Sequence, residues 1–206
     1  MESASVTTIR RRRPRDPLVD VVLDSGEVLR LHDRRVAERR LGSGARLAGP
    51  GLDGLRCAAA FDDAEQRALR LLARRPRSVA ELRARMSEWG VDDVTAAGVV
   101  ERLAELGQVD DRRLAAAVAE SRHAQGYGRR RTRAELARLA VGDPAAEAAL
   151  ALVPDDELPD AVRIVERRFG APPYDDRTAR RAVGFLARRG FAPDAVAAAV
   201  GRPELD

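Results

Sequence analysis

Five pairs of adjacent aspartates, at 62/63, 92/93, 110/111, 155/156 and 175/176, are the residues here whose type and spacing could most readily do chemistry. Paired carboxylates can hold a divalent cation or divide acid and base roles. Each pair, however, directly precedes an amphipathic stretch. There an aspartate at the N-cap accepts a bond from a free backbone N–H, and its charge suits the positive end of the helix dipole. Helix capping is therefore the expected role. A thiol nucleophile would need Cys57, the only cysteine, beside His32 or His123, the only histidines. Cys57 lies in a segment with no other signal, and the spacing of Cys and His fits no metal site. There is no lysine, so the G-x-x-x-x-G-K-[ST] phosphate loop is excluded, and no G-x-G-x-x-G occurs. No cofactor is expected, and an enzyme is the least favoured class.

Arginine is the remaining chemistry. All 37 basic residues are Arg, and they are unevenly placed. Residues 122–140 hold six Arg and one acid, a local charge of +5, whereas 141–160 hold six acids and no Arg, a charge of −6. Neighbouring blocks of opposite sign suit oriented contact with a charged partner, or are simply a solvated surface. Arg129, Arg130, Arg131 and Arg133 open one helix, with Arg122 and Arg138 nearby. Cations at a helix start work against the dipole, which is easier to understand if they meet phosphates or acidic side chains. Arg180/Arg181 and Arg188/Arg189 form a second patch, around Phe185 and Leu186, which read as core. Tyr127, in a Gly-Tyr-Gly turn, is a candidate for stacking or protein contact. Trp89, the only tryptophan, is expected to pack between units rather than on a base.

These residues must be carried by helices. Aromatics make up only 3% of the chain, so the core is built from Ala, Leu and Val, a composition that favours helix over sandwich or barrel. Ser78 with Glu81 forms a capping box, and Asp143-Pro144 and Ala192-Pro193 place proline at helix starts. These signals predict nine helices near 64–75, 79–89, 94–106, 112–125, 129–140, 144–152, 157–169, 177–189 and 193–200. They recur in threes. Gly90, Ala140 and Gly190 each follow the second helix of a set, with Met86, Leu136 and Leu186 four residues earlier, a period of 50. Such spacing marks a repeat array.

Before residue 62 the pattern differs. Residues 18–31 alternate around Asp24-Ser25-Gly26-Glu27, which predicts a β-hairpin with Gly26 in the turn. A short helix is expected over 34–40, and the glycines at 42–51 read as breakers. The start, with Arg10-Arg11-Arg12-Arg13, has no apolar stretch after it and reads as a disordered basic arm rather than a secretion signal. The expectation is a mainly α chain of three tandem three-helix repeats, elongated, preceded by a small β-hairpin-containing module. The divisions fall at 1–17 (arm), 18–61 (module and linker), 62–108, 109–155 and 156–206. The lone cysteine fits a reducing, cytoplasmic setting, no apolar run suits a membrane, and a repeat array of this kind is expected to be a monomer.

Over about residues 65–200 the sequence resembles RecX proteins. The first repeat carries Ala68-Leu69 through Arg75, then Ser78 with Glu81-Leu82. The second carries Val109-Asp110-Asp111-Arg112-Arg113-Leu114-Ala115, Arg122, Gly126-Tyr127-Gly128, Arg131 and Glu135-Leu136. The third carries Phe185-Leu186-Ala187-Arg188-Arg189-Gly190-Phe191. The family usually has an aromatic at Leu114 and glycine at Ala140. The resemblance implies a non-catalytic protein that binds in the groove of the RecA–DNA filament. It also implies restraint of filament growth, ATP hydrolysis and strand exchange. The expected partners are the RecA filament and, more weakly through Arg, single- and double-stranded DNA. The alternatives are a DNA-binding helical-repeat protein acting without RecA and a plain interaction scaffold.

Overall fold

The computed structural model describes residues 3–201. Its contacts form two compact units: residues up to Pro76 with Leu82–Val109, and Arg77–Glu81 with the chain from Asp110 on.

The first unit opens with an antiparallel sheet of β1 (Ser3–Arg10), β2 (Leu18–Leu23), β3 (Val28–His32) and β4 (Arg46–Ala48), in the order β3-β2-β1-β4. The hairpin between β2 and β3 is where the alternation predicts it, and Gly26 adopts φ 85 in its turn. The basic arm, by contrast, is not disordered over its described residues. Ala4 and Val6 alternate into the core, and β1 lies between β2 and β4. The Arg run that masks this strand forms the β1–β2 connection and is held by acids: Arg11 bonds Asp33 at 2.9 Å and Arg12 bonds the buried Asp20 at 2.7 Å.

A short helix α1 (Asp33–Glu38) follows β3. The next helix, α2, runs unbroken over Pro50–Leu72, 14 residues earlier than the expected start at 64. Its first half is therefore not linker. Gly51 and Gly54 each disfavour helix by about 1 kcal/mol, but Leu52, Leu55 and Ala59 form a stripe buried against the sheet and outweigh that cost. Asp62 and Asp63 consequently sit mid-helix and cap nothing. Asp62, 1% exposed, accepts from the Arg35 guanidinium at 2.7 and 2.9 Å and from the His32 backbone N–H at 2.8 Å, tying α1 and β3 to α2. Asp63 meets Arg30 at 2.7 Å.

Helices α3 (Val79–Glu88) and α4 (Asp93–Glu105) complete the first set. The second set is α5 (Asp111–Ala124), α6 (Arg129–Arg138) and α7 (Asp143–Leu150). The third is α8 (Leu158–Phe169), α9 (Asp176–Arg189) and α10 (Pro193–Val200). Among the described residues, every regular element after α2 is helical, so the fold is mainly α with three tandem three-helix sets behind a small strand module.

Three of the five Asp pairs cap as expected. Asp92, Asp110 and Asp175 accept from the backbone N–H groups of Thr95, Arg113 and Thr178 at 2.7–3.0 Å. At α8 the pair acts differently: the N-cap is Glu157, whose side chain is used elsewhere, while Asp156 accepts from the Leu158 N–H at 3.0 Å and Asp155 pairs with Arg129. The period of 50 is visible as one repeated helix end. Gly90, Ala140 and Gly190 have φ 75, 53 and 80, and each is followed by a residue whose N–H bonds the carbonyl of Met86, Leu136 or Leu186 at 3.0–3.3 Å. That is the left-handed helix stop with its long return bond. Met86, Leu136 and Leu186 are fully buried beneath it.

Candidate partner-binding surface

The arginines singled out by the sequence lie in the second unit, and the structure separates those that hold it together from those that face solvent. Arg122 is structural. Its guanidinium forms a two-pronged pair with Glu135, both bonds at 2.6 Å, linking α5 to α6. That pairing raises the Arg122 pKa and holds the Glu135 carboxyl below its ordinary value, in both cases chiefly through the shared hydrogen bonds.

The start of α6 is not an unused positive pole. Gly128 donates to the Arg189 carbonyl at 2.9 Å and Arg130 to the Gly190 carbonyl at 3.1 Å, so the first N–H groups of α6 meet the last carbonyls of α9. The buried carboxylate of Glu157 accepts from the backbone N–H groups of Arg129 and Ala192. The expected conflict between the Arg run and the helix dipole is thus met by an internal anion and an opposing helix end. Arg129 itself bonds the Val153 carbonyl at 2.9 Å and pairs with Asp155 at 2.6 Å. Arg133 pairs with Glu147 at 3.0 Å on the surface. Arg130 and Arg131 are exposed, and among the described residues their guanidinium groups make no hydrogen bond or ion pair.

Tyr127 is not in an exposed turn. Gly126 and Gly128 are buried and the Tyr127 ring is half-buried, with the Arg122 and Arg189 guanidinium groups 5.6 and 5.1 Å from its centroid. Arg189 also donates to the Gln125 and Gly126 carbonyls, both at 2.9 Å, and lies 4.9 Å from the Phe185 centroid. It therefore staples the end of α5 to α9. Arg122, Tyr127 and Arg189 come together although 67 residues apart in sequence at the extremes. Arg181 sits over Phe169 at 5.7 Å, and Arg180 and Arg188 face solvent. Leu186 is core, as read from sequence, while Phe185 is half-buried at the edge of that core. Trp89 is half-buried, with the Arg67 guanidinium of its own set 4.2 Å from its ring.

Sequence reasoning missed Arg163, Arg167 and Arg168. With Arg189 they line a cleft of about 480 Å³ bounded by the end of α5, by α8 and by α9. The available signal was the spacing of Arg163, Arg167 and Arg168 on an amphipathic helix. Among the described residues no group of three His, Cys, Asp or Glu side chains could hold a metal ion. No helix is long and apolar enough to cross a membrane.

Comparison with known proteins places this architecture. The family model for the first three-helix domain of RecX matches residues 64–103, and that for the second matches residues 110–150. A regulatory protein RecX of Xanthomonas campestris pv. campestris (strain B100) is 42% identical over 127 residues, 61% of this chain and 78% of the relative. One from Xanthomonas axonopodis pv. citri (strain 306) is 41% identical over 135 residues, 65% of this chain and 83% of the relative. One from Stenotrophomonas maltophilia (strain K279a) is 39% identical over 132 residues, 64% and 81%. A crystal structure of a regulatory protein RecX superposes with a TM-score of 0.68 at 18% identity, covering 96% of this chain and 98% of that one. RecX from Lactobacillus salivarius gives 0.61 at 17% identity, covering 70% and 96%. The first of these spans nearly the whole chain, so the fold it shares extends to the strand module.

Proposed function

Because this chain belongs to the RecX family of regulatory proteins, we propose that it binds the RecA–DNA filament and restrains RecA's ATP hydrolysis and strand exchange. Family membership, from two matched three-helix domains and from relatives about 40% identical, carries this reading. The surface supports it: Arg130 and Arg131 are exposed cations without internal partners, on a segment whose backbone is already fixed by Glu157 and α9. Such pre-set cations can meet an anionic partner without first losing an ion pair. The protein acts by binding, as a monomer in the cytoplasm, and carries out no reaction of its own.

The test is RecA's ATP hydrolysis on single-stranded DNA with this protein added. Inhibition well below the amount that saturates free DNA supports filament binding. Inhibition only once the DNA is coated would instead favour a DNA-binding protein acting without RecA, a reading supported by the arginine-lined cleft. No effect, with no DNA binding, would leave an interaction scaffold.

A further inference from the structure

We propose that the cleft between the end of α5, α8 and α9 is a binding site for the sugar-phosphate backbone of single-stranded nucleic acid. This deepens the filament reading by assigning a DNA-facing site, and it stands or falls without RecA.

Four guanidinium groups converge on the cleft, from Arg163, Arg167, Arg168 and Arg189. Arg163 is partly neutralised by Asp160 at 2.6 Å, and Arg189 is held by two backbone carbonyls. Arg167 and Arg168 are exposed and, among the described residues, make no hydrogen bond or ion pair. No acidic side chain lines the cleft, although α8 carries Asp160 and Glu166. Two unpaired cations beside a third at helical spacing repel one another, and an incoming anion relieves that repulsion. The guanidinium fork matches phosphate oxygens in geometry as well as charge.

The other wall decides which anion. Ile164 and Phe185 supply apolar surface, and Arg189 presents a planar guanidinium fixed beside the Phe185 ring. An inorganic phosphate would leave that wall unused. An acidic peptide would answer the charge but offer nothing flat to the ring or the guanidinium plane. Unstacked bases stack on both kinds of surface, which is how single strands are held without sequence preference. A volume of about 480 Å³ lies within the usual range for small-ligand pockets. The end of α5 packs closely on α8 here, since a Cβ on Gly126 would fall 2.6 Å from Ile164 Cδ1.

The experiment measures fluorescence anisotropy of a labelled dT20 oligonucleotide with the full chain, without RecA, over a range of salt. The variant is Arg167→Glu/Arg168→Glu. The control is Arg74→Glu/Arg83→Glu, an equal charge change on exposed residues of the first unit. The cleft variant should bind roughly tenfold more weakly, and its log–log salt slope should be shallower by about 1.4, at about 0.7 per lost contact. The control should stay within about twofold of the parent. Arg167→Gln/Arg168→Gln replaces the cleft variant if circular dichroism shows that the reversal unfolds the chain. Equal losses in cleft and control variants would overturn the site, as would a parent that does not bind the oligonucleotide. Polyglutamate competing as well as unlabelled dT20 at equal charge would overturn the nucleic-acid assignment in favour of an acidic peptide. Inorganic phosphate displacing dT20 at matched ionic strength would reduce the cleft to a simple anion site and overturn it too.

Discussion

Gly128 and Gly190 meet backbone to backbone: a methyl group on Gly128 would overlap the Gly190 carbonyl, and one on Gly190 would overlap the Arg131 backbone. The second and third helix sets touch here through two residues that have no side chain to yield. Gly128→Ala should therefore destabilise the protein by about 1–3 kcal/mol through overpacking. Gly190→Ala should cost more, because φ 80 adds a left-handed penalty of roughly 1–2 kcal/mol. Gly184→Ala is the contrast. Its nearest neighbour is the flexible end of Arg188, so the gain in helix propensity, up to about 1 kcal/mol, should dominate. Urea denaturation of the three variants checks the order.

Ala140 occupies the position where the other two sets have glycine, at φ 53. Ala140→Gly should stabilise the chain by about 0.5–1 kcal/mol, since relief of the left-handed strain exceeds the entropy that glycine adds to the unfolded chain. A higher Tm than the parent is the expected reading. An equal or lower Tm would mean that the helix end tolerates alanine without strain.

Reversing Arg130 and Arg131 to Glu should weaken association with the RecA–DNA filament and leave Tm within a degree or two, because neither guanidinium has an internal partner. Arg129→Glu should behave differently. It breaks the contacts to Val153 and Asp155 and brings a third carboxylate towards Asp155 and Glu157, so stability should fall by about 1–3 kcal/mol. If Arg130→Glu/Arg131→Glu inhibits RecA as well as the parent does, that face is ordinary solvated surface.

Acid should loosen the joint between α5 and α6. The Glu135 carboxyl is held below its ordinary value by the hydrogen bonds from Arg122. A depressed folded-state pKa gives stability that is present above the unfolded value, about 4.3, and is lost as pH falls through the lower folded value. Melting temperature should thus drop below about pH 4.3, and Glu135→Gln should flatten part of that drop. Part will remain, because Asp33, Asp92 and Asp175 are depressed as well, chiefly by Arg11, Thr95 and Thr178 respectively.

Asp62→Ala removes the acceptor that Arg35 and the His32 N–H share. Arg35 can turn towards water, so the loss should sit near the lower end of the range for broken buried pairs, about 3 kcal/mol. Chemical denaturation measures it.

The helices were legible wherever a local signal marks each start. Asp92, Asp110, Asp175, Pro144 and Pro193 act within a turn of their own position, so sequence alone places α4, α5, α9, α7 and α10. Strand β1 was hidden because two apolar residues, Ala4 and Val6, precede a run of Arg whose acids, Asp20 and Asp33, come later in the chain. The first half of α2 was hidden because Gly51 and Gly54 argue locally against helix, and the sheet that overrules them is a tertiary partner. The candidate surface was legible as composition but not as geometry. Arg129 and Arg131 look alike in sequence, and only the return of the chain at 153–157 makes one a tether and leaves the other free. The cleft joins residues near 125, 165 and 187, a proximity that no spacing rule reports.

Helix α2 carries the sheet's apolar cover at Leu52 and Leu55 and the first set's core at Ala64 and Ala68 on one uninterrupted rod of 23 residues. A rod of this kind is a screw as well as a spacer. One residue inserted between Ala59 and Asp62 would advance its far end by about 1.5 Å and turn it by about 100°. Leu52 and Leu55 would then swing off the sheet, or Ala64 and Ala68 would swing off the three-helix core. Substitutions along α2 can be absorbed one side chain at a time, but its length cannot change by a single residue. An engineer adding a tag or sensor should choose the exposed turn at Asp24–Gly26 and leave this helix uncut.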